Sequence, residues 1–183
     1  MKRFALGILL AGLAIIGVVS GCQSPAASAP PAGGAPMGDY ATKVKKLYDG
    51  MTEKSKALES EDKAVADALA KGATPEAFAA AAKHFEKVRM IGEGAMQEWK
   101  SLTPPSALAA FHELRAKQMA ETDVQIGEVI AALKTGKIDD FKAAVSKLAK
   151  ASELQQAELL DTVSKAGYSM VAWQNDFALE AGS

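Results

Sequence analysis

Apolar residues follow two different rules along this chain. From Phe4 to Val19 they form an unbroken run, whereas from Asp39 onward they recur every three or four positions among charged residues. The first pattern belongs to an export signal or a membrane segment, and the second to amphipathic helices that share a core. Between them, Gln23 to Gly38 reads QSPAASAPPAGGAPMG, with four prolines and no charge. Such a stretch cannot bury enough apolar surface to offset the entropy of ordering it, so it reads as a disordered spacer. Extended, it reaches roughly 50 Å at about 3.1 Å per residue. The chain therefore divides into a leader (1–21), a spacer (22–38) and a helical domain (39–183).

Four helical segments are predicted after the spacer. The first runs from about Asp39 to Lys71, with Tyr40, Val44, Leu47 and Met51 as a stripe continued by Leu58, Val65 and Leu69; Gly72 is its stop. The second opens at Thr74-Pro75, a cap residue followed by proline at the first helical position. It carries Phe78, Phe85 and Trp99 inward, beside Ala82, Val88 and Met96, and Thr103-Pro104-Pro105 breaks it. The third runs from about Ser106 to Thr135 through Leu108, Phe111, Ile126, Val129 and Leu133, and Gly136 ends it. The fourth begins near Asp139 and Asp140, whose charges suit a helix N-terminus. It continues through Ile138, Phe141, Val145, Leu148, Leu159 and Val163. Lys165 before Gly167 marks a stop, with a run through Trp173 as the alternative. Segments of about 28–32 residues are roughly 42–48 Å long, and connectors of a few residues make neighbours antiparallel. The expected fold is all-α: an antiparallel up-down-up-down four-helix bundle. A helical-repeat array would need self-similarity near 34 residues, and none is visible.

The leader specifies an address. Lys2 and Arg3 precede the apolar run, which at roughly 16 residues is shorter than the ~18–20 of a spanning helix; an uncleaved transmembrane anchor is the alternative. Where the run stops, Val19-Ser20-Gly21-Cys22 resembles the lipobox of bacterial lipoproteins. That resemblance implies diacylglycerol transfer to the Cys22 sulfur, cleavage before it, and attachment to a membrane of the cell envelope. Gln23 stands where those lipoproteins use Asp for inner-membrane retention, which implies the outer membrane if the organism has one. Cys22 is the only cysteine, so no disulfide forms within one chain. The acyl chains of a lipoprotein exceed the threshold for stable anchoring.

Charge adds little. Loss of Lys2 and Arg3 with the leader leaves 19 basic against 22 acidic residues, a net charge of −3. Neither sign is clustered on a tail, so nucleic acid has no electrostatic handle.

Candidate chemistry is sparse. The two histidines, His84 and His112, fall on neighbouring helices but roughly 18 Å apart in height at helical rise, too far to share one ion. Neither belongs to a Glu-x-x-His pair of the kind that builds di-iron sites, since Ala81 and Ala109 stand three residues before them. Met96 is expected at the height of His112, but adjacent helices about 10 Å apart leave no slot for a haem between them. Leu102-Thr103-Pro104-Pro105, with Trp99 before it and His112 after it, resembles a turn found in uncharacterised small helical lipoproteins, which implies a shared fold and no particular activity. Gly92 and Gly94 point to close helix packing, a tolerated kink or a flexible point. Arg115 and Thr122 on the third segment, and Ser152, Gln155 and Thr162 on the fourth, fall near the apolar stripes and either line a ligand cleft or pair with one another. The tail holds Met170, Val171, Trp173, Phe177 and Leu179, too apolar to be idle; it packs on the bundle or binds a partner.

These features predict no enzyme, no metal and no cofactor. They predict an envelope lipoprotein held to the membrane through Cys22, acting as a non-enzymatic interaction or binding module for an envelope protein partner. The alternative is a ligand-binding or sensory bundle holding a small apolar molecule. His112, Met96, Trp99 and Trp173 are the candidate ligand or partner surface.

Overall fold

The computed structural model describes residues 39–173 and 176–181, with side chains through residue 168. The leader, the lipobox Val19-Ser20-Gly21-Cys22 and the spacer lie outside the described residues, as does the side chain of Trp173.

The domain is helical. Five α-helices follow one another: α1 Asp39–Lys56, α2 Glu59–Lys71, α3 Pro75–Ser101, α4 Ala109–Lys134 and α5 Ile138–Lys165. Two strands, β1 Tyr168–Trp173 and β2 Asp176–Ala181, complete it as an antiparallel ribbon. The predicted stripes are the core: Tyr40, Val44, Leu47, Met51, Phe78, Phe85, Val88, Phe111, Ile126, Val129, Leu133, Phe141, Val145, Leu148, Leu159 and Val163 are all buried in one cluster. None of the described helices is long and apolar enough to cross a membrane.

Local signals set most helix ends. Thr74 caps α3 by accepting the Ala77 N–H at 3.2 Å, with Pro75 at the first position. Thr103-Pro104-Pro105 stops α3, and a single 3₁₀ turn, Ser106–Leu108, leads into α4. Gly136 (φ 70°) and Gly167 (φ 81°) take left-handed conformations just past α4 and α5, where a side chain would be strained.

Two expectations are corrected. The first segment is not one helix. At Ala57–Leu58 the chain tightens, Leu58 N–H bonding back only to Ser55 O at 2.9 Å, and α2 restarts with Glu59, Glu61 and Asp62 in its first turn. The last helix does not run to Trp173. It ends at Lys165, and β1 and β2 pair with Tyr168 opposite Ala181 and Trp173 opposite Asp176. Gly92 and Gly94 prove not to mark a close approach, because a Cβ at either would meet nothing within 4 Å.

Contacts fix the neighbours. Trp99 near the end of α3 meets His112 near the start of α4, and Glu86 on α3 pairs with Lys134 at the end of α4, so these helices run antiparallel. Lys147 and Glu128 likewise set α5 antiparallel to α4. Helices α1 and α2 both lie on α3, while β1 lies against α5 and β2 against α1. The ribbon thereby bridges the first and last helices.

Candidate functional site

Inward-facing polar groups gather at three places, and each answers differently to the cost of leaving water. The first surrounds Trp99, which is fully buried at the end of α3. Its indole N–H donates to the His112 carbonyl at 3.0 Å, and the two rings stack with centroids 4.9 Å apart and planes 13° from parallel. From α1, the Tyr40 hydroxyl lies 3.0 Å from His112 Nδ1. Burial lowers the His112 pKa, with the Glu113 charge opposing it, which favours the neutral ring. Burial and the neighbouring Tyr48 push the Tyr40 pKa far up, so it remains a hydroxyl. With its proton on Nε2 a neutral imidazole accepts the Tyr40 proton at Nδ1, and in the other tautomer Nδ1 donates to the hydroxyl. Tyr40 and Tyr48 both meet the Trp99 ring edge-on at 6.4 Å, and Phe111 meets it at 5.8 Å. This clasp joins the first turn of α1 to the α3–α4 connection.

The second place is His84, 2 % exposed on α3. Its Nε2 contacts Asp62 Oδ1, and its Nδ1 lies 3.7 Å from Glu61 Oε2. Lys87 holds Glu61 at 2.6 Å, and that hydrogen bond lowers the Glu61 pKa. Burial raises the Asp62 pKa against the opposing pull of His84. The acidic first turn of α2 is thus fastened to α3. The two histidines belong to separate clusters with different partners. Among the described residues, no group of three or more His, Cys, Asp or Glu side chains is placed to hold a metal ion.

The third place is a polar layer midway along α4 and α5. The inner face of α4 changes from Phe111 to Arg115, Gln118 and Thr122 before Ile126 resumes the apolar stripe, and on α5 half-buried Ser152 and Gln155 interrupt Leu148 and Leu159. Gln118 is 1 % exposed and donates through Nε2 to Gln155 O at 3.0 Å and to Glu158 Oε2 at 3.3 Å. Thr122 Oγ1 donates to Gln155 Oε1 at 3.3 Å, and Gln155 Nε2 to Glu121 Oε2 at 3.2 Å. The pairing is incomplete: Gln118 Oε1, Gln125 Oε1 and Arg115 Nε are buried without a hydrogen-bond partner. Arg115 lies over the Tyr48 ring, its Cζ 5.8 Å from the centroid.

A separate shallow hollow of about 370 Å³ opens at one end of the domain, between Pro75, Phe78 and Ala82 of α3 and Leu133 to Gly136 at the end of α4.

The structure brings Trp99 and His112 together. Half-buried Met96 was expected at the height of His112, but the α3 side chain stacked on that ring is Trp99, one turn closer to the connector. Trp173 lies in β1, apart in sequence from both. Reading the sequence missed Tyr40 as a partner of His112, and it missed Gln118, although the spacing Phe111, Arg115, Gln118, Thr122 is itself a helical stripe. Against known protein families, curated proteins and solved structures, the chain finds no match.

Proposed function

We propose that the chain is a lipid-anchored lipoprotein of the bacterial cell envelope whose helical domain acts as a non-enzymatic binding module for an envelope protein partner. The observation that carries the address is Val19-Ser20-Gly21-Cys22 at the end of an apolar run too short to span a bilayer. Supporting a folded domain from the start of the described residues, Tyr40 is locked into the core. In the finer arrangement we favour, α1, α3, α4 and α5 form an up-down-up-down bundle, with α2 as a brace on α3. Lipid on Cys22 would place the protein in the outer membrane of a two-membrane organism, since Gln23 is not Asp.

The test is fractionation and capture. Cys22→Ser is expected to leave the protein as an unprocessed precursor or to release it from membranes. The lipidated protein, cross-linked in its native membrane, is expected to retain an envelope protein. Normal processing and membrane association of the Cys22→Ser variant would reject the anchor, and recovery of the protein alone would reject the partner reading.

A second reading, a bundle that holds a small molecule between its helices, draws support from one observation: Arg115 and Gln118 face the interior with polar atoms that no described residue satisfies.

A further inference from the structure

We propose that the Arg115–Gln118 face of α4 is a binding site for a small carboxylate monoanion that carries an adjacent hydroxyl. The inference rests on the second reading above and names its ligand class.

Arg115 is half-buried, between Phe111 and Gln118 on the inner face of α4. Its Nε is buried without a partner while the rest of the side chain keeps contact with solvent, and arginines that turn inward are ordinarily matched by a carboxylate. Among the described residues Arg115 forms no ion pair; its partner is the Tyr48 ring. The acidic side chains nearest in the layer are engaged elsewhere. Glu158 accepts from Gln118 Nε2, and Glu121 accepts from Gln155 while pairing with Lys117 at 3.8 Å. A ring face compensates a cation only in part.

Gln118 follows one turn later on the same side of the helix, where residues three apart are neighbours. Its amide is fixed by Gln155 O, which leaves Oε1 pointing at no donor while the residue is almost wholly excluded from solvent. The layer therefore presents, three residues apart on one helix face, an unused N–H donor bearing positive charge and an unused acceptor. Water would satisfy both hydrogen bonds but not the charge. A carboxylate beside a hydroxyl satisfies all three: its oxygens accept from the guanidinium edge, and its hydroxyl donates to Gln118 Oε1. A dianion such as phosphate is disfavoured, because one guanidinium balances one negative charge and an amide oxygen repels a second. Arg115 keeps partial contact with solvent, so a small molecule can reach it, and the Tyr48 ring under the guanidinium supplies an apolar wall.

Glycolate is the probe, with acetate as the analogue that lacks the hydroxyl and inorganic phosphate as the anion control. A ligand of about five non-hydrogen atoms binds with Kd in the micromolar to millimolar range at best, so titration of the full chain by calorimetry or NMR is extended accordingly. Glycolate is expected to saturate one site per chain at least tenfold more tightly than acetate, with phosphate weaker than either. Arg115→Gln should abolish binding of both carboxylates. Gln118→Leu should bring glycolate down to the level of acetate and leave acetate unchanged. If Arg115→Gln fails to fold by circular dichroism, the glycolate-to-acetate ratio in Gln118→Leu decides alone. No saturable binding to the wild-type chain, equal affinity for glycolate and acetate, or unchanged binding in folded Arg115→Gln each overturns the proposal. Capture reads the surface and titration reads the core, so failure of the partner reading leaves this result standing, and the reverse.

Discussion

Three residues apart on α4, His112 and Arg115 both turn a polar group toward the interior, and they solve that problem in opposite ways. Around His112 the accounts balance: its carbonyl accepts the Trp99 indole, its Nδ1 meets the Tyr40 hydroxyl, and its ring stacks on Trp99. Around Arg115 and Gln118 a donor and an acceptor remain unused. A buried polar group without a partner costs about 1–3 kcal/mol, whereas a satisfied one contributes modestly. The first region has the form of a structural fastening. The second tolerates a cost that packing alone would not retain, which is the physical reason to associate it with binding.

The largest effect is expected on the fastened side. Trp99→Ala removes the side chain on which Tyr40, Tyr48, Phe111 and His112 converge, and should lower stability by about 3–5 kcal/mol in equilibrium urea unfolding, as for other buried tryptophans. A loss below about 1 kcal/mol would mean that the cluster is not the keystone its burial indicates.

How much of this was legible follows the same division. Apolar stripes at helical spacing predicted the helices and nearly the whole core, because periodicity is a local property that tertiary packing here reinforces. The break at Ala57–Leu58 was hidden because Met51, Leu58 and Val65 keep a seven-residue spacing across it. The ribbon was hidden because Gly167 marks only where α5 ends, and pairing of Tyr168 with Ala181 is non-local. In the polar layer, Arg115, Thr122 and Gln155 stood out against the stripes, but whether their polar atoms were paired depends on facing helices. The stacking of His112 on Trp99, one turn past Met96, depends on the path of the connector, whose 3₁₀ turn at Ser106–Leu108 the sequence did not reveal.

Next in size is Tyr40→Phe, which keeps the ring but leaves His112 Nδ1 without its partner. Loss of one buried hydrogen bond with an orphaned acceptor should cost about 1–2 kcal/mol. Gln118→Met makes the opposite test. It removes an acceptor that is already orphaned, at similar volume, together with the amide's hydrogen bonds to Gln155 O and Glu158 Oε2, and the two changes offset so that stability should fall by no more than about 1 kcal/mol. If Gln118→Met proved the more damaging of the two, the contrast between the regions would collapse, since the polar layer would then be the better satisfied.

The smallest effect expected is pH-dependent and sharpens the comparison from the His112 side. Burial depresses the His112 pKa below its ordinary value of about 6.5, with Glu113 opposing. On acidification the unfolded chain therefore takes up its proton before the folded chain does. More protons bound in the unfolded state means stability that rises with pH. The contribution is complete above about 6.5 and is lost as pH falls from there through the depressed folded value. His112→Phe removes the titration while keeping a ring against Trp99 and the backbone carbonyl that accepts its indole. Asp62 and the other carboxylates titrate in both proteins and cancel in the difference. The stability advantage of wild type over His112→Phe should thus shrink between about pH 7.5 and about pH 5, measured by urea unfolding at each pH. His112 keeps some solvent contact, so the change should be smaller than that of Tyr40→Phe. An advantage that stays constant on acidification would show that folding does not shift the His112 pKa, and one that grows would show that the folded state favours the charged imidazole, with Tyr40 accepting from it.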